Sequence, residues 1–245
     1  MTWTNNGLLR TLPEKDAALV RSRAELVTLD QDQTLFESKK PITNVYFFES
    51  GLSSEVVFAT KSIEVGCIGH EGCSGVPLLL GVDSSPHKAF MQAGGTALRI
   101  ASADLTELID TNRAIRELLL RYAHVFMIQI AATALADGRY DIEQRLARWL
   151  LMCQDRIGGQ DIHITQDYLA AILGVRRPGV TNALHILEGE GLVRSTRVNI
   201  EMRDRQRLEA FAGSFYGDAE SLRRDPVANG ALRRNTEGTF PSPHG

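Results

Sequence analysis

Residues 165–191 read TQDYLAAILGVRRPGVTNALHILEGEG, and this stretch decides how the C-terminal part of the chain folds. Thr165 can cap a short helix that ends near Leu173. Gly174 permits a tight turn, and Pro178 suits the first turn of a second helix, where a missing N–H costs nothing. The second helix carries apolar residues at 4-3 spacing, namely Val180, Leu184 and Leu187. Two short helices with apolar faces and a glycine turn between them predict a helix-turn-helix.

The opposite face of the second helix carries side chains that can contact base edges and phosphates. They are Arg176, Arg177, Thr181, Asn182 and His185. After Gly191 the chain continues as a strand–turn–strand around Arg197, which predicts a wing. Two arginines at a helix start could also be an ordinary solvated surface, but the turn, the short second helix and the wing together favour DNA binding. Residues 172–207 hold seven arginines and four acidic residues, a modest excess that suits a sequence-specific dimer.

The N-terminal part has a different pattern, with short β-prone segments separated by frequent turn residues. The segments are Leu26–Leu29, Thr34–Glu37, Asn44–Glu49, Ser54–Ala59, Ser62–Ile68, Lys88–Gln92 and Ala97–Ile100. Such a series predicts an antiparallel β-roll or jelly roll. The chain as a whole is therefore predicted to belong to the α+β class.

A long helix is predicted from Asn112 to Asp137, a stretch without proline or glycine. One 4-3 series runs through it: Ile115, Leu119, Tyr122, Phe126, Gln129 and Thr133. We interpret this series as the seam of a homodimeric coiled coil, in which Gln129 and Thr133 set the register. The alternative is a helix that packs on its own sheet. Asp137-Gly138 is predicted to be a hinge.

Composition limits the classes of function. The 245 residues include 27 basic and 30 acidic side chains, and a net charge of −3 argues against a protein that coats nucleic acid indiscriminately. Three cysteines are too few for a disulfide scaffold. No uninterrupted apolar run reaches the roughly 18 residues that span a bilayer. We therefore expect a cytoplasmic protein that does not contact a membrane.

Three motifs together identify the chain as similar to the Crp/Fnr superfamily of bacterial transcription regulators. They are RLARWLL at 145–151, LGVRR at 173–177 with Val180, and LEG at 187–189, and the resemblance covers residues 8–212. It implies four parts: a cyclic-nucleotide-binding-like sensor β-roll (1–111), a dimerisation helix and hinge (112–139), a winged helix-turn-helix (140–212) and a flexible tail (213–245). The partners it implies are a second copy of the chain, double-stranded DNA with an inverted repeat and, for an activator, RNA polymerase.

The resemblance also assigns roles to the residues of the helix-turn-helix. The positions that contact bases in the family are occupied by Arg177, Pro178 and Asn182. Pro178 stands where many members have a polar reader, often glutamate. The positions that contact phosphates are occupied by Thr165, Gln166, Arg176 and Gly179. We add Arg197 of the wing as a phosphate contact.

The effector pocket that the resemblance implies is altered. Family members that bind cyclic AMP hold it with Gly-Glu and Arg-Ser pairs in the β-roll and with Thr and Ser on the long helix. The corresponding positions here are Gly75, Val76, His87, Lys88, Ile130 and Ala131. The glutamate, the arginine and both adenine readers are thus missing, so we expect no binding of cyclic AMP, and the effector is left unidentified.

Other sensors and other functions are disfavoured as well. Three cysteines cannot hold a four-cysteine iron–sulfur cluster, and no histidine pattern indicates haem or a jelly-roll metal enzyme. Small buried thiols are the expected state of Cys67 and Cys73. We predict no catalytic residue, no metal site and no cofactor. The remaining alternative is a signal-binding module that acts on a protein partner.

Overall fold

The computed structural model describes residues 3–58, 62–213 and 216–217, and it has the predicted α+β architecture. The N-terminal strands are β1 (Glu25–Leu29), β2 (Thr34–Phe36), β3 (Asn44–Phe48), β4 (Leu52–Phe58), β5 (Ser62–Ile68), β6 (Lys88–Ala93) and β7 (Gly95–Ala101). The N-terminal helices are α1 (Glu14–Arg21), α2 (Val76–Leu79) and α3 (Ser102–Thr111), after a 3-10 turn at Leu9–Thr11. The long helix is α4 (Arg113–Arg139). The C-terminal elements are α5 (Ile142–Ile157), β8 (Asp161–His163), α6 (Gln166–Ile172), α7 (Arg177–Gly189), β9 (Val193–Ser195), β10 (Asn199–Met202) and α8 (Arg205–Ala212).

The N-terminal strands form two antiparallel sheets, with the orders β1-β7-β3 and β2-β6-β4-β5. Large apolar side chains from both sheets are fully buried in one core, including Phe47, Phe48, Met91 and Ile100. Each such side chain contributes roughly 1.5–3 kcal/mol when it is removed from water. The turn at Ser50-Gly51 carries the chain from β3 in one sheet to β4 in the other.

The N-terminal half of α4 packs onto this β-roll, and five residues that we predicted as a dimer seam lie in that contact. Ile115, Leu119, Tyr122, Phe126 and Gln129 are all 7% exposed or less within a single chain. The approach is close, since a Cβ added at position 66 of β5 would lie 2.8 Å from the Phe126 ring. The seam prediction therefore chose the wrong face of the helix, because the chain's own sheet already covers these side chains.

Gln129 shows why a polar residue stands in this contact. Strand β5 lies at the edge of its sheet, and an edge strand leaves backbone groups unpaired. Gln129 Oε1 accepts a hydrogen bond from the Cys67 N–H (2.8 Å), and Gln129 Nε2 donates to the Cys67 carbonyl (3.1 Å). Thr133 Oγ1 donates to the Gln129 carbonyl and accepts from Arg148. Both polar side chains thus serve contacts within one chain and do not set a register between two copies.

The opposite side of α4 leaves apolar side chains uncovered. Leu120, Met127 and Leu135 are 43%, 55% and 50% exposed, and His124 and Ala131 lie exposed between them. Helix α4 has apolar residues on both sides, and within the described residues it is the helix long and apolar enough to cross a bilayer. One third of its most apolar 18-residue stretch is buried inside the structure. The sequence of α4 has no uninterrupted apolar run of that length, so the sequence did not predict a helix able to cross a bilayer. The β-roll covers one side of the helix, and the other is open to a second surface.

Helix α4 continues through Asp137 and Gly138, where we predicted a hinge, and it ends at Arg139. A glycine inside a helix costs only about 1 kcal/mol relative to alanine. The corner that follows is held by an ion pair between Asp137 Oδ1 and Arg145 Nη2, 2.6 Å apart. The change of direction therefore comes at Tyr140, after the predicted hinge.

The C-terminal elements enclose a second core, which includes two residues of the β-roll, Leu52 and Cys67. The contact between the two parts also contains buried polar pairs. Trp149 Nε1 of α5 donates to Glu64 Oε1 of β5 (2.9 Å), and Arg156 Nε lies 2.7 Å from Glu71 Oε1. The C-terminal part is thus packed on the four-stranded sheet through a largely buried interface.

The predicted flexible tail (213–245) lies outside the described residues except for Gly213, Tyr216 and Gly217. Tyr216 is buried against the second core, and its hydroxyl donates to Asp155 Oδ2 (2.9 Å) and accepts from Arg205. Tyr216 is therefore anchored to the C-terminal core, past the point where we predicted the tail to begin.

Candidate nucleic-acid interface

Helices α6 and α7 are joined by a short turn whose geometry the sequence specifies. Thr165 Oγ1 accepts from the Tyr168 N–H (3.2 Å) and caps α6. Gly174 then adopts φ +65°, a left-handed conformation that favours glycine. A Cβ added there would also lie 3.2 Å from Ile63 of β5. These features place α7 across α6 as the helix-turn-helix prediction requires.

Helix α7 buries one side and exposes the other. The buried side chains are Val180, Ala183, Leu184 and Leu187. Arg176 is the N-cap residue, and Arg177, Pro178, Asn182 and His185 face solvent. The predicted base-contacting residues Arg177, Pro178 and Asn182 therefore share one exposed surface at the N-terminal end of α7.

Two predicted phosphate contacts have other partners inside the domain. Gln166 Oε1 accepts from Thr181 Oγ1 (2.8 Å) and ties α6 to α7. The Gly179 N–H donates to the Arg176 carbonyl (2.9 Å), and a Cβ at Gly179 would lie 3.1 Å from Ile142. Both residues are only partly exposed, so the structure gives them a role in packing the helices together.

The wing is the sheet β8-β10-β9, and its turn carries Arg197. Arg197 is exposed. Glu188 Oε1 near the end of α7 accepts from the Ser195 N–H (2.6 Å) and from Ser195 Oγ (2.9 Å). The wing is therefore fixed relative to α7, and Arg197 is exposed in the turn of the wing.

One acidic side chain stands among these donors, and the sequence analysis did not single it out. Asp167, in the first turn of α6, places Oδ1 3.5 Å from Arg177 Nε. The two side chains are 71% and 63% exposed, respectively. The pairing depends on how α6 crosses α7, so no spacing along the sequence could have indicated it.

A cleft of about 360 Å³ separates this surface from the β-roll. Thr165, Tyr168 and Val198 lie on one side of it, and Gln31 and Asp32 of the β1–β2 turn lie on the other. Burial raises the pKa of the Tyr168 hydroxyl well above its usual range. Thr165 therefore stands at the edge of the exposed surface, close to an acidic turn of the β-roll.

Residues 144–211 match the model of the Crp-like helix-turn-helix domain family. Residues 144–211 therefore carry a Crp-like helix-turn-helix domain. The described part of the chain is similar in fold to solved structures of transcription regulators. The β-roll, the long helix and the winged helix-turn-helix follow one another along the chain, and this arrangement is similar to solved structures of Crp/Fnr regulators. No curated protein sequence matches the chain.

Solved structures of Crp/Fnr regulators are similar over most of the chain at low identity. A protein described as a transcriptional regulator of the Crp/Fnr family from Eubacterium rectale is 15% identical, with 86% of this chain and 99% of that one covered and a TM-score of 0.68. A CRP-family regulator from Thermus thermophilus is 17% identical, with coverage of 77% and 97% and a TM-score of 0.65. The c-di-GMP responsive global regulator CLP of Xanthomonas campestris is 14% identical, with coverage of 78% and 100% and a TM-score of 0.63.

Most of the predicted effector-pocket residues make contacts within the chain. Gly75 and Val76 begin α2, and Val76 is buried. His87 Nδ1 lies 3.5 Å from Glu55 Oε2, and Lys88 Nζ lies 3.3 Å from Glu37 Oε1. Ile130 packs against the core of the β-roll, whereas Ala131 is on the exposed side of α4. The structure therefore does not bring Ala131 into the pocket, which corrects that prediction.

Glu55 was missed by the sequence analysis, although it lies in the middle of the β-roll. Its side chain is 3% exposed, and its Oε1 atom is buried without a hydrogen-bond partner. Glu55 beside His87 and Glu37 beside Lys88 place two acidic side chains at the predicted pocket, which makes it unfavourable for an anion.

The cysteines and the metal-ligand residues give no sign of redox or metal chemistry in the described part of the chain. Burial raises the pKa of the Cys67 thiol to about 12, and it raises those of Cys73 and Cys153 as well. A thiol becomes reactive as the thiolate, which is scarce at such pKa values. Residues 3–58, 62–213 and 216–217 contain no group of three or more His, Cys, Asp or Glu side chains placed to hold a metal ion.

Proposed function

We propose that this chain is a sequence-specific DNA-binding regulator of the Crp/Fnr type, which acts as a homodimer on an inverted-repeat operator. The observation that carries the proposal is the exposed N-terminal end of α7, where Arg176, Arg177 and Asn182 face solvent beside the wing. A helix presented in this way fits the major groove of B-DNA, and its first residues meet the base edges.

Each exposed side chain has a proposed role on the DNA. Arg177 can contact the O6 and N7 atoms of guanine with two hydrogen bonds, and Asn182 can pair with adenine. Pro178 offers only an apolar contact, such as one with a thymine methyl group. Arg176, Arg197 and Thr165 are proposed phosphate contacts. Gln166, whose Oε1 accepts from Thr181, and Gly179, whose N–H donates to Arg176, are left out of this proposal.

The homodimer forms, in this proposal, through the uncovered face of α4 defined by Leu120, His124, Met127, Ala131 and Leu135. These residues follow a 4-3-4-4 spacing and so lie along one side of the helix. A contiguous apolar surface on a protein that is otherwise charged usually marks an interface. A two-fold dimer would place its two α7 helices about one turn of DNA apart, roughly 34 Å, on an inverted repeat.

The sensor function is proposed to be independent of cyclic AMP. His87 contacts Glu55 and Lys88 pairs with Glu37, so neither side chain is available for a cyclic phosphate without loss of its acidic partner. A regulator of similar fold is described as responsive to c-di-GMP, so the fold itself does not fix the effector. The effector of this chain is unknown, and we assign none.

We keep the division into a sensor β-roll (1–111), a dimerisation segment (112–139) and a DNA-binding domain (140–212) as part of the proposal. The protein would act in the cytoplasm on double-stranded DNA, without a membrane, a cofactor or a catalytic step. If it activates transcription, RNA polymerase is its further partner.

The test is selection of bound fragments from random double-stranded DNA with the full chain. We expect enrichment of an inverted repeat with half-site centres about one helical turn apart, bound by two chains per duplex. The control is a variant with Arg177→Ala and Asn182→Ala, which should remain folded by circular dichroism and lose the enriched sequence. The proposal fails if the full chain enriches no sequence, or if one chain binds an asymmetric site.

A further inference from the structure

The ion pair between Asp167 and Arg177 leaves the DNA-facing atoms of the arginine free. Asp167 Oδ1 lies 3.5 Å from Nε of the guanidinium group, a distance that indicates an ion pair rather than a hydrogen bond. Arginine has five N–H donors, of which Nε carries one and the two terminal nitrogens carry four. A two-bond contact with the O6 and N7 atoms of guanine can use the terminal nitrogens alone. The carboxylate can therefore hold Arg177 from the side while the end of the group meets a base.

The same carboxylate is costly for binding to DNA in general. Asp167 lies on the surface that also carries Arg176, Arg177 and the N-cap residue Thr165, all of which are exposed. A negative charge there repels phosphates and so opposes the sequence-independent part of DNA binding. Asp167 also interacts favourably with the positive N-terminal end of α6. That interaction affects the stability of the helix and not the base preference.

The neighbouring residue makes the orientation of Arg177 more important. Pro178 has no side-chain donor or acceptor, so Arg177 is the one polar base-contacting side chain in the first turn of α7, and Asn182 follows a turn later. An exposed ion pair contributes little in the free protein, because water screens it. On DNA the pair would lose water and lie in a lower effective dielectric, where the same charges interact more strongly.

We propose that Asp167 is a positioning residue that determines sequence specificity, because it aims the Arg177 guanidinium at its base and penalises binding to other sequences. The inference rests on the proposed DNA-binding function. It predicts opposite effects on two quantities, since loss of the carboxylate should strengthen binding to unrelated DNA and weaken discrimination at one base pair per half-site.

The test is Asp167→Asn in the full chain, which keeps the shape of the side chain and removes its charge. Binding is measured on the selected operator, on operators with each base substituted at the position that Arg177→Ala maps, and on scrambled DNA. We expect scrambled DNA to bind about threefold more tightly at low salt, as repulsion is relieved. Discrimination at the mapped base pair should fall about tenfold, while other positions and the melting temperature change little.

The matched control is Glu190→Gln. Glu190 Oε2 also lies 3.5 Å from an arginine, Arg207, and both side chains are 58% exposed, but Glu190 is the C-cap residue at the far end of α7. This variant loses the same charge from a similar surface pair and should leave base preference unchanged. A second comparison introduces Asp167→Asn into the Arg177→Ala variant, where it should no longer alter discrimination at the mapped base pair.

Several outcomes would overturn the inference. Tighter binding with unchanged discrimination would mean that Asp167 only repels phosphates. Equal loss of discrimination with and without Arg177 would mean that it does not act through the arginine, and a large drop in melting temperature would give it a structural role. If the full chain selects no sequence at all, the proposed function itself is wrong, which is a separate result from any of these.

Discussion

Arg177 and Arg197 are both exposed arginines of the DNA-binding domain, and we expect different consequences from the loss of each. Arg177→Ala should weaken binding to the selected operator by about 1–3 kcal/mol and relax preference at one position per half-site, because a base contact is lost. Arg197→Ala should weaken all sequences alike and lower the salt slope by about one per lost contact, because counterion release is reduced. The measurement is binding of both variants to operator and scrambled DNA over a salt series.

The two variants serve as each other's control in this experiment, since both remove one exposed arginine from the same domain. Equal weakening of operator and scrambled DNA by Arg177→Ala would show that α7 only attracts the backbone. At this scale the sequence was informative, because the spacing of Val180, Leu184 and Leu187 fixed which side of α7 is exposed. The pairing of Asp167 with Arg177 could not be predicted, because it depends on the crossing of two helices.

At the scale of elements, the uncovered face of α4 carries the next prediction. Replacing Leu120 and Met127 by glutamate should leave the chain folded, since both side chains are about half exposed in one chain. The same changes place like charges in the proposed apolar interface, which is strongly unfavourable. We expect the double variant to sediment at half the mass of the parent protein with an unchanged helical circular dichroism signal.

A suitable control is Leu19→Glu in α1, which introduces the same side chain at a residue that is 46% exposed and lies on another helix. That variant should keep the mass of the parent. A double variant that still sediments as a dimer would show that the uncovered face of α4 is not the interface, and the surface would then need another partner or none.

The elements themselves were largely predictable, because their signals are local. Strand β5 was predicted with the observed bounds, Ser62–Ile68, since turn residues mark both ends. The side of α4 that packs on the β-roll could not be predicted. The helix carries apolar residues on two sides, and periodicity does not indicate which side a sheet will cover. The role predicted for Gln129 was wrong for the same reason. A polar residue among apolar ones can set the register of a coiled coil, and it can equally well bond the backbone of an edge strand.

At the scale of the whole molecule, the sequence separated two domains that the structure packs into one body. The core of the winged helix contains Leu52 and Cys67 from the β-roll, and α5 contributes Trp149 to a hydrogen bond with β5. The two residues of that hydrogen bond are 85 positions apart. No pattern along the sequence relates residues at such a separation. The domain boundaries follow changes in local pattern, whereas the interface between domains depends on shape and on buried polar pairs.

Glu64 lies at the centre of this interface and makes its stability depend on pH. The side chain is buried, and one carboxylate oxygen accepts from Trp149 while the other has no partner. Burial raises the pKa of Glu64 from an ordinary value near 4.5 to about 7, although Ser54, Trp149, Arg156 and Arg148 partly oppose the shift. Between those two pH values the folded chain holds a proton that the unfolded chain has released.

The free energy of unfolding contributed by Glu64 should therefore fall as pH rises from about 4.5 to about 7 and stay constant above that range. Glu64→Gln keeps the acceptor for Trp149 and cannot ionise, so the variant should equal the parent protein near pH 4.5. Above pH 7 it should be more stable by up to about 3 kcal/mol, at roughly 1.4 kcal/mol per pKa unit. Urea unfolding of both proteins between pH 4.5 and pH 8 measures the difference, in which the titration of other groups cancels. If the difference in unfolding free energy between the two proteins does not change with pH, Glu64 has an ordinary pKa in the folded chain. The β-roll and the winged helix would then have to separate enough to admit water at this carboxylate.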